Sequence, residues 1–414
     1  MRYFFTAFLG SAIVLGILYI VFSSLHPSRF YHLGEKFLSF RGESSRERIQ
    51  SAHARSAQVK GVYVTADVAR DRGIAARALR ERILTMLRDT ELNGVVVDVK
   101  EANGVFLDDA MKVFVEKLHE DDNTWVIARL VSFRDNVAVG TNPGFYLKRR
   151  DGSIWRDNRG GAWMDPASPE VWRYVVEVAR RAAALGFDEI QFDYIRFPSD
   201  GDVAAVVYPA WTPSTPRNRV IGDFASFLHK ELKAYRPEII LSADLFGDVA
   251  VRGRDDSIGQ NLEVLAPHFD YLSFMVYPSH YYHGLDLAAD PSRGLEEVRL
   301  SSEAARANPD VVVSRSLLAA EAVIGRASSG TSSSAAALRD ASLLGMNVAP
   351  ARSEWPRLRP WLEDFFHEED QIAGRPYGRE KMRRQIDAAE SVAPHGWLLW
   401  NPSNVYTESA LRKE

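Results

Sequence analysis

Cysteine is absent from the 414-residue chain, and its absence excludes several classes of site. Without cysteine there is no disulfide framework, no thiolate metal site and no cysteine nucleophile. A surplus of one charge is also lacking, because 51 Lys and Arg stand against 55 Asp and Glu, for a formal net charge of -4. This balance gives no electrostatic basis for binding a polyanion, so we expect no nucleic-acid partner.

Several catalytic and cofactor motifs are missing as well. The chain has no Gly-x-Ser-x-Gly elbow and no His-Glu-x-x-His zinc motif. No Gly-x-Gly-x-x-Gly follows the first predicted strand, which makes a doubly wound dinucleotide-binding fold the weaker alternative. His280 and His283 could ligate a metal with Asp286, but their spacing is not that of a known zinc motif. We therefore predict neither a metal nor a cofactor.

The N-terminal run Phe4–Phe22 contains no charged residue and is close to the roughly 20 residues that span a bilayer as a helix. It ends in a poor cleavage site, so the sequence predicts an uncleaved transmembrane or signal anchor over residues 1–23, with a removed signal peptide as the alternative. A polar juxtamembrane linker follows over residues 24–59. The positive-inside rule, taken literally, favours a cytoplasmic body. The short leader ahead of a large domain favours a cell-membrane protein whose body is periplasmic or extracellular.

From Gly61 onward, short β-branched or aromatic runs alternate with amphipathic stretches such as Pro169–Leu185. This alternation is typical of a parallel sheet with crossover helices. Eight units in roughly 350 residues predict an α/β fold, a (β/α)8 TIM barrel over residues 60–408. The eight candidate strands are Gly61–Asp67, Gly94–Lys100, Trp125–Phe133, Glu189–Phe197, Ile239–Phe246, Tyr271–Tyr277, Trp361–Phe365 and Trp397–Asn401.

Polar side chains stand at the C-terminal ends of most predicted strands, where barrel enzymes place their active sites. Asp193 and Asp244 end neighbouring strands about 4.8 Å apart, so their carboxyl groups could come within about 5–6 Å. That separation is near the one that retaining glycosidases use, which predicts Asp193 as nucleophile and Asp244 as acid/base. Arg129 on the third strand could keep Asp193 ionised. Structural carboxylates bonded to loop amides are the alternative, given equal weight.

Aromatic residues are dense in the predicted loops and strand ends, which favours a sugar ligand because aromatic faces stack on pyranose rings. Two long insertions, Phe133–Met164 and Ser199–Arg219, follow the third and fourth strands. The aromatic residues concerned are Trp155, Trp163, Phe197, Tyr208, Trp211, Tyr277, Tyr281, Tyr282, Trp400 and Tyr406. The predicted substrate-binding residues are Asp98, Lys100, Arg129, Trp163, Arg196, Tyr277, His280, Asp364, Trp400 and Asn401.

A set of motifs resembles a bacterial family of glycoside-hydrolase-like proteins with a TIM-barrel fold and unassigned specificity. The most specific motif is Gly186–Pro198, GFDEIQFDYIRFP. The others are Gly61–Thr65, Val97–Lys100, Asp151–Asp157, Ala162–Pro166, Met275–Tyr281, Trp361–Phe365 and Trp397–Pro402. The resemblance covers roughly Lys60 to Tyr406 and is weakest over Leu285–Pro356. It implies a TIM barrel with a hydrolase-like site at Asp193, and it supplies no substrate.

These observations together predict a glycoside hydrolase that cleaves an envelope or extracellular polysaccharide with two carboxylates. The expected partners are a carbohydrate polymer or oligosaccharide and, through the N-terminal helix, a membrane. Two alternatives stay open. One is a barrel that binds glycans without cleaving them, and the other is a metal-dependent polysaccharide deacetylase with a divalent ion near His280 and His283.

Overall fold

Eight parallel strands close into a barrel in the computed structural model, which describes residues 44–413 except 122, 123, 329–355, 366, 373, 375 and 376. Each strand pairs with its neighbours in chain order, and the last pairs with the first, so the sheet has no free edge. The predicted (β/α)8 barrel is thereby confirmed. The strands are β1 Val59–Val64, β2 Gly94–Glu101, β3 Trp125–Val131, β4 Glu189–Asp193, β5 Ile240–Phe246, β6 Tyr271–Met275, β7 Trp361–Glu363 and β8 Gly396–Trp400.

Amphipathic helices cover the outside of the barrel, and the helix Pro169–Leu185, α4, shows how the sequence sets their bounds. The Ser168 hydroxyl accepts a bond from the Val171 amide, Pro169 starts the helix, and Gly186 ends it with φ 116°. The longer helices are α1 Ser45–Arg55, α2 Ile74–Asp89, α3 Asp109–Asp121, α4 Pro169–Leu185, α5 Arg217–Tyr235, α6 Pro309–Ser328 and α7 Arg379–Val392. Shorter helices span Ala66–Ala69, Gly247–Arg252, Leu262–Leu265, Ser302–Ala307 and Glu368–Ile372.

The core has two layers, because side chains along a barrel strand alternate between the lumen and the helices. The larger layer lies between strands and helices, and a smaller one fills the lumen with residues such as Val96 and Leu398. The N-terminal end of the lumen is closed by a fully buried ion pair, Arg359 to Glu189 at 2.8 Å. Trp125 Nε1 donates to the same carboxylate at 2.9 Å. The lumen is therefore plugged at this end.

The two insertions pack on each other beside the C-terminal end of the strands. Lys148 and Val207 exchange backbone hydrogen bonds of 3.0 and 2.7 Å. The Asp165 carboxylate accepts from the amides of Ala210 and Trp211 at 2.7 and 3.2 Å. This insertion lobe, residues 133–165 with 199–219, is thus ordered by its own polar contacts and lies where the loops of β3 and β4 meet.

The N-terminal part of the chain is described only from residue 44. Residues Ile49–Glu414 form one compact unit, and of the preceding unit, Met1–Arg48, only the beginning of α1 is described. Across the described residues no helix has the length and apolarity needed to cross a membrane. The predicted anchor, residues 1–23, and much of the predicted linker lie outside those residues. The division into anchor, linker and barrel domain stays a prediction.

Candidate active site

Three ionisable side chains from adjacent strands meet at the C-terminal end of the lumen. Arg129 of β3 donates from Nε and Nη2 to Asp193 Oδ2 of β4, at 3.1 and 2.5 Å. Asp244 of β5 places its Oδ2 3.9 Å from the same Arg129 Nε. The pairing of Phe192 with Ala243 sets both carboxylates one step further along adjacent strands, at the same depth. With 3.1 and 3.9 Å to one shared atom, the two Oδ2 atoms are at most 7.0 Å apart.

The other side of Arg129 holds two more carboxylates. Its Nη1 donates to Asp98 Oδ1 at 2.6 Å and to the Glu101 carboxylate, and the Tyr63 hydroxyl donates to Asp98. Burial lowers the pKa of Arg129, but the charges of the surrounding carboxylates outweigh it and raise that pKa well above its usual value. One buried guanidinium therefore organises three carboxylates, Asp98, Glu101 and Asp193, around a single point.

Asp244 sits in a different environment from Asp193. It is 2% exposed, and its Oδ1 accepts a hydrogen bond from Trp361 Nε1 at 2.7 Å. Burial, and then the charge of Asp193, raise the pKa of Asp244 well above its usual range. Burial and the charges of Asp244 and Asp193 likewise raise the pKa of the Tyr277 hydroxyl, which shares this enclosure. The surroundings of Asp244 thus favour its protonated form, while Asp193 accepts hydrogen bonds from the Arg129 guanidinium.

Tyr194, the residue after Asp193, has a left-handed backbone with φ 53°. Bulky side chains rarely adopt this conformation, and such strain gathers at sites that the surrounding structure must hold in one geometry. The conformation lets the Tyr194 amide donate to Asp193 Oδ1 at 2.6 Å. Asp193 therefore accepts three hydrogen bonds, two from Arg129 and one from its neighbour, which fix its carboxylate plane.

The pKa of Asp98 also departs from that of an ordinary carboxylic acid. Burial, opposed by Arg129, raises the pKa of Asp98 to about 7. The neighbouring Glu101 is less enclosed, with its side chain 31% exposed. Burial raises the pKa of Glu101, but Arg129 outweighs it and the pKa is lowered. The site therefore contains carboxyl groups with different protonation, set by their surroundings.

Lys100 does not join this cluster, contrary to its predicted substrate-binding position. Its Nζ lies 3.0 Å from Asp135 Oδ2 and donates to the Val131 carbonyl at 2.8 Å, and both charged side chains are fully buried. The cause is a register shift in β2 between Asp98 and Lys100, which sets Lys100 opposite Leu130. Such a bulge turns the following side chain to the other face of the sheet. Lys100 therefore anchors the insertion lobe to β2 through its ion pair with Asp135.

Asp364 and Asn401, both predicted to bind substrate, join loops to each other in the structure. The Asp364 carboxylate accepts from the Thr407 hydroxyl at 2.6 Å and from the Thr407 amide at 2.8 Å. Asn401 Nδ2 donates to the Asp364 and Val405 carbonyls, both at 2.5 Å. These contacts join the loop after β7 to the chain that leaves β8, and they occupy both predicted side chains.

Most of the aromatic residues proposed to stack on sugar are packing residues. Six of them are buried, namely Trp155, Trp163, Phe197, Tyr277, Tyr281 and Tyr406, whereas Tyr282 is 66% exposed. Trp163, for example, is fully buried and donates from Nε1 to Asp157 Oδ2 at 2.9 Å. Trp400 is partly exposed, and its ring lies 4.0 Å from that of Tyr63 and 5.1 Å from the Arg129 guanidinium. It is the best-placed stacking platform.

A second polar group at the mouth includes a residue that the sequence prediction missed. Glu363 ends β7, is fully buried, and accepts from the Ser279 hydroxyl and amide at 2.6 and 3.0 Å. Ser279 Oγ is in turn 2.9 Å from His280 Nδ1. The His280 ring packs against Tyr277 with the ring centroids 5.4 Å apart. The alternation Trp361, Leu362, Glu363 places Glu363 on the lumen face and could have revealed it.

The metal alternative can be compared with the side-chain positions. Within the described ranges, no group of three or more His, Asp or Glu side chains is arranged to hold a metal ion. His280, His283 and Asp286 therefore do not form such a cluster. His280 instead lies with Tyr277 and Ser279, as above.

Comparison with solved structures finds several proteins of low structural similarity. A hypothetical protein from Ruminiclostridium thermocellum is 31% identical over 44% of this chain and 96% of its own, with TM-score 0.38. An α-galactosidase from Thermus thermophilus is 14% identical over 84% of this chain and 58% of its own, with TM-score 0.43. The glycoside hydrolase domain of PelA from Pseudomonas aeruginosa is 12% identical over 84% and 96%, with TM-score 0.39. At these TM-scores the likenesses carry no argument about function.

The family comparison is more informative. A search of the curated proteins finds no match for the chain. Residues 61–406, however, match the model of a family described as "Putative glycosyl hydrolase domain". The matched segment begins in β1, ends six residues after β8, and includes β2 to β8 and every charged residue of the site. The chain therefore belongs to this family of glycosyl hydrolase domains.

Proposed function

We propose that this glycosidase cleaves an envelope or extracellular polysaccharide by a retaining mechanism, with Asp193 as nucleophile and Asp244 as acid/base. Family membership identifies the enzyme class. The observation that carries the residue assignment is the shared contact of both carboxylates with Arg129 Nε, at 3.1 and 3.9 Å. One carboxylate is bonded by a cation, and the other is buried against Trp361.

The two environments suit two different roles. Glycosidases need one ionised carboxylate and one protonated carboxyl group beside the scissile bond. Asp193 accepts three hydrogen bonds, two of them from Arg129, which orient its carboxylate and balance its charge, and in this proposal it attacks the anomeric carbon. Burial and the charge of Asp193 raise the pKa of Asp244, so it can donate its proton to the leaving oxygen at neutral pH.

The separation of the carboxylates supports a retaining mechanism. Retaining enzymes place the two groups about 5–5.5 Å apart, whereas inverting enzymes need about 6.5–9.5 Å to admit a water molecule. The upper bound of 7.0 Å between the Oδ2 atoms reaches only the lower edge of the inverting range. In the first step Asp193 would bond to the anomeric carbon while the Asp244 proton moves to the departing oxygen. In the second step, Asp244 would take a proton from water as water displaces Asp193.

Arg129 and Trp400 support this chemistry without bonding to the reacting carbon. Arg129 holds the Asp193 carboxylate in one plane and balances its charge until the bond to sugar forms. Trp400 lies beside the guanidinium, 5.1 Å from ring centroid to guanidinium carbon, and is partly exposed. A sugar ring stacked on Trp400 would present its edge to the carboxylates.

Hydrolysis is tested by incubating the full-length protein with a broad panel of polysaccharides and measuring released reducing ends. We expect at least one polymer to be cleaved, and Asp193→Asn and Asp244→Asn each to lower the rate by at least about a thousandfold, as loss of an essential catalytic group does. Asp67→Asn is the matched control, because Asp67 follows β1 but is exposed. Unchanged turnover in the Asp193 and Asp244 variants would refute the assignment. Oligosaccharide binding without any release of reducing ends would favour a glycan-binding barrel.

The compartment is part of the same proposal. The uncharged run Phe4–Phe22 supports a membrane anchor, and the large domain behind a short leader supports a body outside the cytoplasm. Fusion of the C-terminus to a phosphatase that is active only outside the cytoplasm tests this placement. We expect phosphatase activity in the fusion, and its absence in a well-expressed fusion would place the barrel in the cytoplasm.

A further inference from the structure

Arg196 lies on the loop that leaves β4, three residues after Asp193, and is 7% exposed. Its guanidinium carbon is 4.8–4.9 Å from the centroids of three aromatic rings, which belong to Trp163, Tyr194 and Phe246. Such an enclosure fixes a long side chain in one position and removes most of its hydration. Arg196 is therefore a rigid cation next to the candidate nucleophile.

The charge of Arg196 has no counterion within the described part of the chain. The other deeply buried arginines, Arg129 and Arg359, each contact a carboxylate at 3.1 Å or less. No described carboxylate comes within the 4.0 Å ion-pairing distance of Arg196, and burial lowers its pKa. Buried charges are normally paired, because a desolvated ion without a partner is costly.

The donors of Arg196 are only partly used. Nη1 donates to the Phe197 carbonyl at 3.0 Å and to Ser199 Oγ at 3.1 Å. Nε and Nη2 have no acceptor among the described residues, yet neither is sealed from solvent. These two nitrogens form the edge of a guanidinium that binds a carboxylate or phosphate through two parallel hydrogen bonds.

Arg196 lies at the catalytic end of the barrel. Phe246, which packs on Arg196, follows Asp244 by two residues on the same face of β5. The charge of Asp193 is also close enough to affect the pKa of Arg196. Arg129 balances the charge of Asp193, and burial raises the pKa of Asp244, so these two carboxyl groups do not strongly oppose an anion here. Asp200 also lies near enough for its charge to raise the pKa of Arg196.

From this geometry, and resting on the proposed glycosidase function, we infer that the substrate is an acidic saccharide. The Nε and Nη2 edge of Arg196 binds a carboxylate or phosphate substituent on the sugar beside the scissile bond. The three rings hold the guanidinium in place so that little conformational entropy is lost when the anion binds. The enzyme would thus discriminate between charged and neutral polymers of the same linkage.

Calorimetric titration of the full-length protein tests this inference with glucuronic acid, glucose 6-phosphate and glucose, and with the corresponding galactose series. Each series keeps one ring and changes only the charged group, so it separates a carboxylate from a phosphate. We expect at least one acidic sugar to bind about tenfold or more tightly than its neutral partner, as a charge-assisted hydrogen bond predicts. Arg196→Met should abolish this preference, and Arg196→Lys should keep part of it.

Arg217→Met is the matched control, because Arg217 also packs over aromatic rings, Phe197 and Trp211 at 5.0 and 5.1 Å. The Arg217→Met variant should retain the preference for acidic over neutral sugars. Equal affinities of wild-type protein for acidic and neutral sugars, or tighter binding of glucosamine, would overturn the inference, and neither result depends on a variant folding. A preference that persists in Arg196→Met would also overturn it. Cleavage of neutral polymers alone would refute the acidic substrate but not the glycosidase, whereas acid binding without any hydrolysis would refute only the glycosidase.

Discussion

Replacing Arg129 by Met removes the cation that two buried carboxylates, Asp98 and Asp193, share with the less enclosed Glu101, and we expect a large loss of stability. Arg129 is 5% exposed and donates to Asp98, Glu101 and Asp193. Removing one partner of a buried ion pair costs about 3–5 kcal/mol, since the remaining charge stays desolvated. Urea unfolding at pH 7.5 should therefore show the free energy of unfolding lowered by about 3–5 kcal/mol.

The decrease in the free energy of unfolding caused by Arg129→Met should depend on pH in a defined direction. In the wild type, Arg129 lowers the pKa of Glu101, so this group stabilises the fold above its unfolded pKa and loses that contribution as pH falls through the folded pKa. Asp98, with its pKa raised to about 7, destabilises the fold increasingly as pH rises from about 4 to 7. Without Arg129 the pKa of Asp98 would rise further.

The penalty of Arg129→Met should therefore be larger at pH 8 than at pH 5. Arg129→Lys keeps the charge but not the planar guanidinium with its several donors, so its free energy of unfolding should fall less than that of Arg129→Met. The control Arg77→Met removes an exposed arginine that pairs with Asp71, and it should change the free energy of unfolding little. The electrostatic account of the site would be refuted if Arg129→Met lowered the free energy of unfolding only slightly at pH 8, or lowered it more at pH 5 than at pH 8.

Three further predictions concern single contacts of the site and its support. Trp361→Phe removes the donor to Asp244 Oδ1, so the pKa of Asp244 should rise. The basic limb of the kcat/KM profile, measured with any polymer that the wild type cleaves, should therefore move up by about one pH unit. Asp98→Asn should abolish the wild-type loss of stability between about pH 4 and 7, seen in urea unfolding across that range, because the raised pKa of Asp98 causes that loss. Lys100→Met should lower the free energy of unfolding by about 3–5 kcal/mol by leaving Asp135 unpaired, and Asp135→Asn in the same chain should restore part of it.

The barrel could be predicted from the sequence because its strands are short apolar runs with clear breaks between them. Each of the eight predicted strands overlaps an observed one, but several extend too far at the C-terminal end. The predicted strand Glu189–Phe197, for example, ends at Asp193 in the structure. The cause is the left-handed Tyr194, after which apolar residues continue in a loop that packs under the insertion lobe.

The candidate site was only partly predictable. Asp193, Asp244, Asp98 and Arg129 were found because alternation along a strand assigns them to the lumen. Lys100 was misplaced because a register shift leaves no signal in the residue types. The Glu189–Arg359 pair was not foreseen, because its members lie 170 residues apart in the chain. Contacts between distant strands depend on the closed topology and become visible only when the barrel is assembled.

Trapping the glycosyl–enzyme intermediate tests the central claim most directly. The full-length protein would be incubated with a panel of 2-deoxy-2-fluoro glycosyl fluorides, and the labelled residue would be located by mass spectrometry of its peptides. The two-carboxylate account predicts a covalent sugar on Asp193, and no label in Asp193→Asn. A sugar bonded to another carboxylate, such as Asp98, Asp244 or Glu363, would contradict the assignment. Hydrolysis with inversion of the anomeric centre and no trapped sugar would contradict the retaining mechanism itself.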